Sequence, residues 1–87
     1  MEGKLLAKNL ARLEAQLGDV TADLRMLLEE GSDADDVAFA RARVADAQAG
    51  YRRLLGELAG PQRVEAEGLL AAGFAEVDRL VGRLPKF

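Results

Sequence analysis

The sequence predicts an all-α protein: an antiparallel three-helix bundle (up-down-up) built on a coiled-coil-like helical hairpin. Three observations favour this class. Ala and Leu dominate every segment, whereas the β-branched residues typical of strands are few. Gly31 and Gly60 divide the chain into three stretches of helical length. Within these stretches apolar residues recur at alternating spacings of three and four, the heptad pattern of a coiled coil.

Residues that favour helix ends set the expected boundaries. Gly31 tolerates the positive φ of a helix C-terminus. Ser32 and Asp35 are interpreted as a capping pair at the N-terminus of the second helix. Gly60 ends that helix, and Pro61 suits the first position of the third, where a missing N–H costs nothing. We therefore predict one domain, 1–87, with helices at about 4–30, 33–59 and 61–84.

The first two helices carry mirror-image apolar series. The first series is Leu6, Leu10, Leu13, Leu17, Val20, Leu24 and Leu27, and the second is Val37, Ala40, Val44, Ala47, Tyr51, Leu54 and Leu58. If the chain turns back at Gly31, the members pair so that their residue numbers always sum to 64. This constant predicts an antiparallel hairpin about 40 Å long at about 1.5 Å per residue.

The third helix is expected to complete the core. Its matching series is Leu70, Phe74, Val77, Val81 and Leu84, which pairs with the second helix at a sum of 121. Continued towards Pro61, the same series places Arg63 and Glu67 in the core, where an isolated charge is expensive. The helix is therefore expected to splay there, or to rotate so that Val64 covers the gap. Either change leaves a shallow apolar opening beside four leucines, Leu6, Leu10, Leu54 and Leu58.

The composition excludes most catalytic chemistry. Cys, His and Trp are absent, which removes thiolate nucleophiles, histidine bases and nitrogen- or sulfur-ligated zinc. The net charge of −3 disfavours nucleic-acid binding, and no apolar run approaches the length of a membrane span. The first four residues lack the pattern of a signal peptide, so we expect a cytoplasmic protein. No cofactor, metal or small-molecule substrate is indicated.

Two charged clusters lie at opposite ends of the predicted bundle. Five carboxylates fall between Glu29 and Asp36, but their spacing fits no calcium loop, and helix capping explains them better. The bundle brings the cations Arg79, Arg83 and Lys86 to the same end. At the other end a basic group, diluted by glutamates, is interpreted as a solvated, ion-paired surface: Lys4, Lys8, Arg12, Arg52, Arg53 and Arg63.

Two surfaces are candidate partner-binding sites. Met26 and Phe39 fall outside the apolar series and are predicted to lie side by side across the hairpin. The alternative is that the C-terminal segment 85–87 partly covers them. On the third helix Gly68, Ala75 and Gly82 recur every seven residues and form a smooth stripe on which another helix can pack.

These features favour a non-enzymatic protein–protein interaction module: an adaptor, a co-chaperone or a subunit of a larger assembly. The alternative is a self-associating structural protein, including one in which the third helix docks on a second chain. An enzyme or metal binder that uses carboxylates alone is a remote third interpretation.

Overall fold

A computed structural model describes residues 1–87 as three α-helices with no strand. The helices are α1 (Gly3–Glu30), α2 (Ala34–Glu57) and α3 (Pro61–Val81). They run up, down and up in a rod measuring 42 × 18 × 17 Å, and every pair of helices is in contact. The predicted three-helix bundle is confirmed, and α3 packs on the hairpin of its own chain.

Gly31 ends α1 as expected, whereas Gly60 does not end α2. Gly31 has a φ of 86°, and its N–H donates to the carbonyl of Leu27 at 3.0 Å. The helix α2 ends at Glu57 with Leu58 as its C-cap, and Gly60, with a φ of 59°, is the N-cap of α3 before Pro61. Both glycines adopt the left-handed region that other residues avoid, so the two turns are encoded directly in the sequence.

The N-cap of α2 differs from the prediction by one residue. Asp33, not Ser32, caps the helix: its Oδ1 accepts a hydrogen bond from the Asp36 N–H at 2.8 Å. The Ser32 hydroxyl makes no hydrogen bond, and Asp35 lies in the first turn beside Asp36. A carboxylate is the better cap here, because it adds a favourable interaction with the helix dipole to the hydrogen bond.

The core contains eighteen buried residues, and none of them is polar or charged. In α1 six of the seven predicted residues are buried, and Leu27 is partly buried near the turn. The second series is buried likewise except for Tyr51, which is half-buried. The heptad pattern therefore identifies the buried faces of the hairpin almost residue by residue.

Two contacts fix the register of the hairpin. Arg43 forms an ion pair with Asp23, and a Cβ built on Gly50 would lie 3.5 Å from Cδ2 of Leu13. The residue numbers of these pairs sum to 66 and 63, on either side of the predicted 64. The predicted alignment of the two helices is confirmed.

Four of the five residues predicted for α3 are buried, and the structure departs from the prediction at two places. Ala66, which is completely buried, closes the core near Pro61, while Val64 is 71% exposed. Near the other end Leu80 is buried in place of Val81, which is only partly buried. Because the methyl group of Ala66 fills this narrow part of the core, neither Arg63 nor Glu67 is buried.

The helix α3 also ends earlier than predicted. Gly82 is its C-cap rather than an interior residue, and its N–H donates to the carbonyls of Asp78 and Leu80. The N–H groups of Arg83 and Leu84 donate to carbonyls three residues back, a tighter turn than the α-helix. This turn carries Leu84 into the core beyond the helix end.

The helix α3 lies closer to α1 than to α2. A Cβ on Gly73 would come within 3.0 Å of Cδ1 of Leu17, so only glycine permits this approach without displacement. On the other side the rings of Tyr51 and Phe74 stack with centroids 4.5 Å apart and planes 19° apart. Side chains of antiparallel helices lean in opposite directions, which brings together two rings predicted to lie in neighbouring layers.

Candidate functional site

Met26 and Phe39 lie on the outer face shared by α1 and α2. They are 49% and 67% exposed, and neither belongs to the core. Met26 lies three residues beyond Asp23, and Phe39 four residues before Arg43, so each shares a helix face with one member of that ion pair. Since Asp23 and Arg43 touch across the hairpin, the pair Met26/Phe39 lies about one helical turn away on the same face.

The C-terminal segment does not cover this pair. Pro85, Lys86 and Phe87 line a cleft with the first turns of α2, around Ala34 and Val37. Phe87 itself is exposed, and Phe39 keeps two thirds of its surface in solvent with the tail in place.

The same α1/α2 face becomes polar away from the turn. A cleft of about 560 Å³ opens there between the helices, lined by Asn9, Gln16 and charged residues of both signs. Its two arginines, Arg12 and Arg53, are balanced by two acids. Such a neutral, polar cleft offers little to an apolar partner, so the apolar part of this face is confined to Met26 and Phe39.

The small residues predicted to form a stripe on α3 are exposed. Gly68 and Ala75 lie on its outer surface, whereas Gly82 lies beyond the end of the helix and shortens the stripe. Val64 is exposed one turn before Gly68 and was missed as part of this surface. Its spacing of four from Gly68 is the signal that identifies it.

A longer surface groove, which the sequence did not predict, runs along the boundary between α1 and α3. Two clefts of about 430 and 530 Å³ meet at Glu14 and Leu69, which line both. The opening predicted beside four leucines is divided by the bundle: Leu6 and Leu10 line this groove, while Leu54 lines the α1/α2 cleft. Ala66 closes the space between them.

Glu76 forms the main electrostatic link between α1 and α3. Two hydrogen bonds from Arg79, at 2.6 and 2.9 Å, hold the pKa of the Glu76 carboxyl at about 2, and a third comes from Arg25 on α1 at 3.3 Å. The same partner raises the pKa of Arg79. Burial raises the pKa of the Tyr51 hydroxyl, as does the nearby charge of Glu67. These shifts follow from ion pairing and packing within the bundle.

The two charged clusters remain surface features. No group of three or more acidic side chains lies close enough together to hold a metal ion, and Arg79 pairs with Glu76 rather than with the acids of the 29–36 turn. At the opposite end Arg63 pairs with Glu67 within α3, and Arg12 donates to Asn9.

Searches of protein-family models, of curated proteins and of solved structures give no match to this chain. None of the three helices combines the length and the apolar character needed to cross a membrane. Any function assigned to the chain therefore rests on the surfaces described above.

Proposed function

We propose that this chain is a non-enzymatic protein-interaction module of the cytoplasm, which binds another protein through exposed apolar helix faces. An adaptor, a co-chaperone and a subunit of a larger assembly all use a small helical bundle in this way. The surface assigned to the contact is the pair Met26/Phe39, with the outer face of α3 around Gly68 and Ala75 as a second apolar surface.

One observation carries the proposal: the core is complete without six large apolar side chains that remain in solvent. These are Leu5, Met26, Phe39, Val64, Leu69 and Phe87. Single exposed apolar residues are common, but Met26 and Phe39 lie on the same face of the α1/α2 hairpin. Met and Phe are also among the residues enriched at protein interfaces.

Substitution of the pair tests the proposal. In an affinity capture from native lysate, Met26→Glu/Phe39→Glu is expected to lose proteins that the wild type retains, because a partner surface would have to desolvate two carboxylates. The matched control is Leu5→Glu/Phe87→Glu, which adds the same charge at two side chains that are at least as exposed and lie outside both candidate surfaces. Captured proteins are then purified and titrated against each variant.

Equal recovery by the wild type and both double variants would remove the pair Met26/Phe39 from the interface. Sedimentation of the purified chain distinguishes self-association from binding of another protein. A dimer that Met26→Glu/Phe39→Glu dissociates, together with a melting temperature that rises with protein concentration, would support the structural alternative.

A further inference from the structure

The groove between α1 and α3 offers a further interaction surface, distinct from Met26/Phe39 and from the outer face of α3. On the α3 side, the residues that line the groove run from Gln62 to Glu76. This is about 21 Å of helix at about 1.5 Å per residue. The two parallel helices and the straight space between them have the form that receives a third, four-turn helix in helix-in-groove recognition.

The base of the groove is apolar, and its α1 side includes a glycine. Leu10, Leu17 and Leu70 lie at its base, and Leu69 stands 52% exposed where the two clefts meet. On the α1 wall Gly18 is exposed, and a Cβ added there would meet nothing within 4 Å. A partner helix can therefore approach the backbone of α1 closely and pack on Leu69.

The rim of the groove is acidic. Glu14 on α1 and Glu65 on α3 line it from opposite walls, and neither has a cation within ion-pair distance. The only basic residue lining it, Arg25, is already paired with Glu76. Arg79 also pairs with Glu76, so Glu14 and Glu65 are the acids that stay unpaired along the groove. An incoming Lys or Arg can pair with these carboxylates without displacing an existing partner.

We infer that the α1/α3 groove binds a basic amphipathic helix of another protein, with its apolar face on Leu69 and its Lys or Arg side chains against Glu14 and Glu65. This inference rests on the proposed function as an interaction module and specifies a surface and a partner chemistry for it. The partner helix would complete a four-helix arrangement.

Charge argues against a second copy of the chain as the occupant. A two-fold axis through the groove would set the same surface against itself, so that Glu14 and Glu65 would face the identical acids of the copy. Like charges facing each other across an interface are destabilising, whereas a basic helix is attracted.

The test uses a displayed library of helical peptides of about 14 residues, which matches the length of the groove. The apolar positions are kept fixed and the flanking positions are varied among Lys, Glu, Gln and Ser. Peptides selected on the wild-type chain are titrated by fluorescence anisotropy. We expect enrichment of Lys at the flanks and binding that weakens as salt is raised.

Gly18→Leu is the decisive variant. It fills the groove from the α1 wall and, because glycine disfavours helix, it is expected to raise the melting temperature while weakening peptide binding at least about tenfold. The matched control is Gly56→Leu, which makes the same substitution at an exposed position of α2 outside the groove and is expected to leave affinity unchanged. A stabilised protein that has lost binding excludes unfolding as the cause.

Charge is tested by a second pair of variants. Glu14→Gln/Glu65→Gln is expected to weaken binding of the Lys-flanked peptides roughly tenfold. Glu29→Gln/Glu30→Gln removes the same charge at two exposed positions outside the groove and is expected to have little effect.

Each other outcome overturns the inference. Peptides without enriched Lys, or binding that survives Gly18→Leu, would exclude the groove. If binding is lost in Met26→Glu/Phe39→Glu instead, the inference fails while the proposed function stands. If the library yields no binder and no variant alters partner capture, both fail. A dimer that Gly18→Leu dissociates would assign the groove to a second copy.

Discussion

The two faces of α3 are held in different ways. Towards α1 the helix comes close enough that Gly73 lies directly against Leu17, and the ion pairs of Glu76 with Arg25 and Arg79 lie at the edge. Towards α2 the spacing is set by the stacked rings of Tyr51 and Phe74. The α1/α3 contact depends on a glycine, which has no side chain, whereas the α2/α3 contact depends on two aromatic rings.

This difference explains which residues of α3 are buried. Leu80 lies one turn beyond Glu76, on the side facing α1, and is buried. Val81 shares an open cleft of about 200 Å³ with Val44 and Gln48 of α2 and is only partly buried. The residue on the closely packed side is thus buried, whereas the residue on the spaced side stays partly exposed.

The largest expected effect comes from removing the ring that separates α2 and α3. Phe74→Ala is expected to lower the free energy of unfolding by about 3–5 kcal/mol, because it leaves a cavity in the core and ends the stack on Tyr51. Urea denaturation followed by circular dichroism measures the change. Tyr51→Phe keeps both rings and is the control, with little expected change. A decrease of less than about 1 kcal/mol in the free energy of unfolding would show that the α2/α3 contact contributes little to stability.

Glycine substitutions sharpen the comparison on the α1 side. Ala in place of Gly gains about 0.8–1 kcal/mol of helix propensity in both Gly73→Ala and Gly68→Ala. Only the methyl group added in Gly73→Ala meets Leu17, so this variant is expected to be less stable than Gly68→Ala by about 1–3 kcal/mol. Thermal melts of the two variants measure this difference. Equal stabilisation would mean that Leu17 moves aside easily and that the close approach does not require glycine.

The smallest expected effect is the pH dependence of the Glu76 link. The pKa of Glu76 is lowered from 4.5 to about 2, so its pairing contributes stability above pH 4.5 and loses it as the pH falls towards 2. The wild type is therefore expected to melt at a slightly higher temperature than Glu76→Gln at neutral pH, with the difference vanishing in acid. Glu67→Gln, which breaks a pair within α3, serves as the control. A difference that persists unchanged to pH 2 would contradict the role of Glu76.

The hairpin was predictable from the sequence because its register is over-determined. Seven apolar pairs agree on one alignment, and a shift by one residue would misalign all seven layers by about 1.5 Å at once. The turn at Gly31 was equally clear, since positive φ strongly favours glycine. Where many residues require the same geometry, periodicity alone is sufficient.

The helix α3 was harder to predict because its packing is asymmetric. A strict heptad extrapolation treats α1 and α2 as equivalent neighbours, and it therefore chose Val81 over Leu80 and had no place for Ala66. Small residues such as Gly73 decide how closely helices approach, yet they carry no hydrophobic signal. The early end at Val81 has a similar origin, because Gly82 suits a helix end as well as a surface stripe.

The candidate surfaces were predictable only in part. Met26 and Phe39 were found because they are large apolar residues outside the apolar series, and both are exposed. The α1/α3 groove was missed because its walls come from residues distant in sequence, and its acidic rim, Glu14 and Glu65, looks like any solvated pair along the chain.

The stack of Tyr51 on Phe74 gives the molecule a built-in spectroscopic reporter. The chain contains one tyrosine and no tryptophan, so its near-ultraviolet dichroism and intrinsic fluorescence are dominated by a single chromophore at the α2/α3 boundary. Undocking of α3 would free that ring and change both signals while the helix content stays high. Partial opening of the bundle can thus be distinguished from complete unfolding without any label.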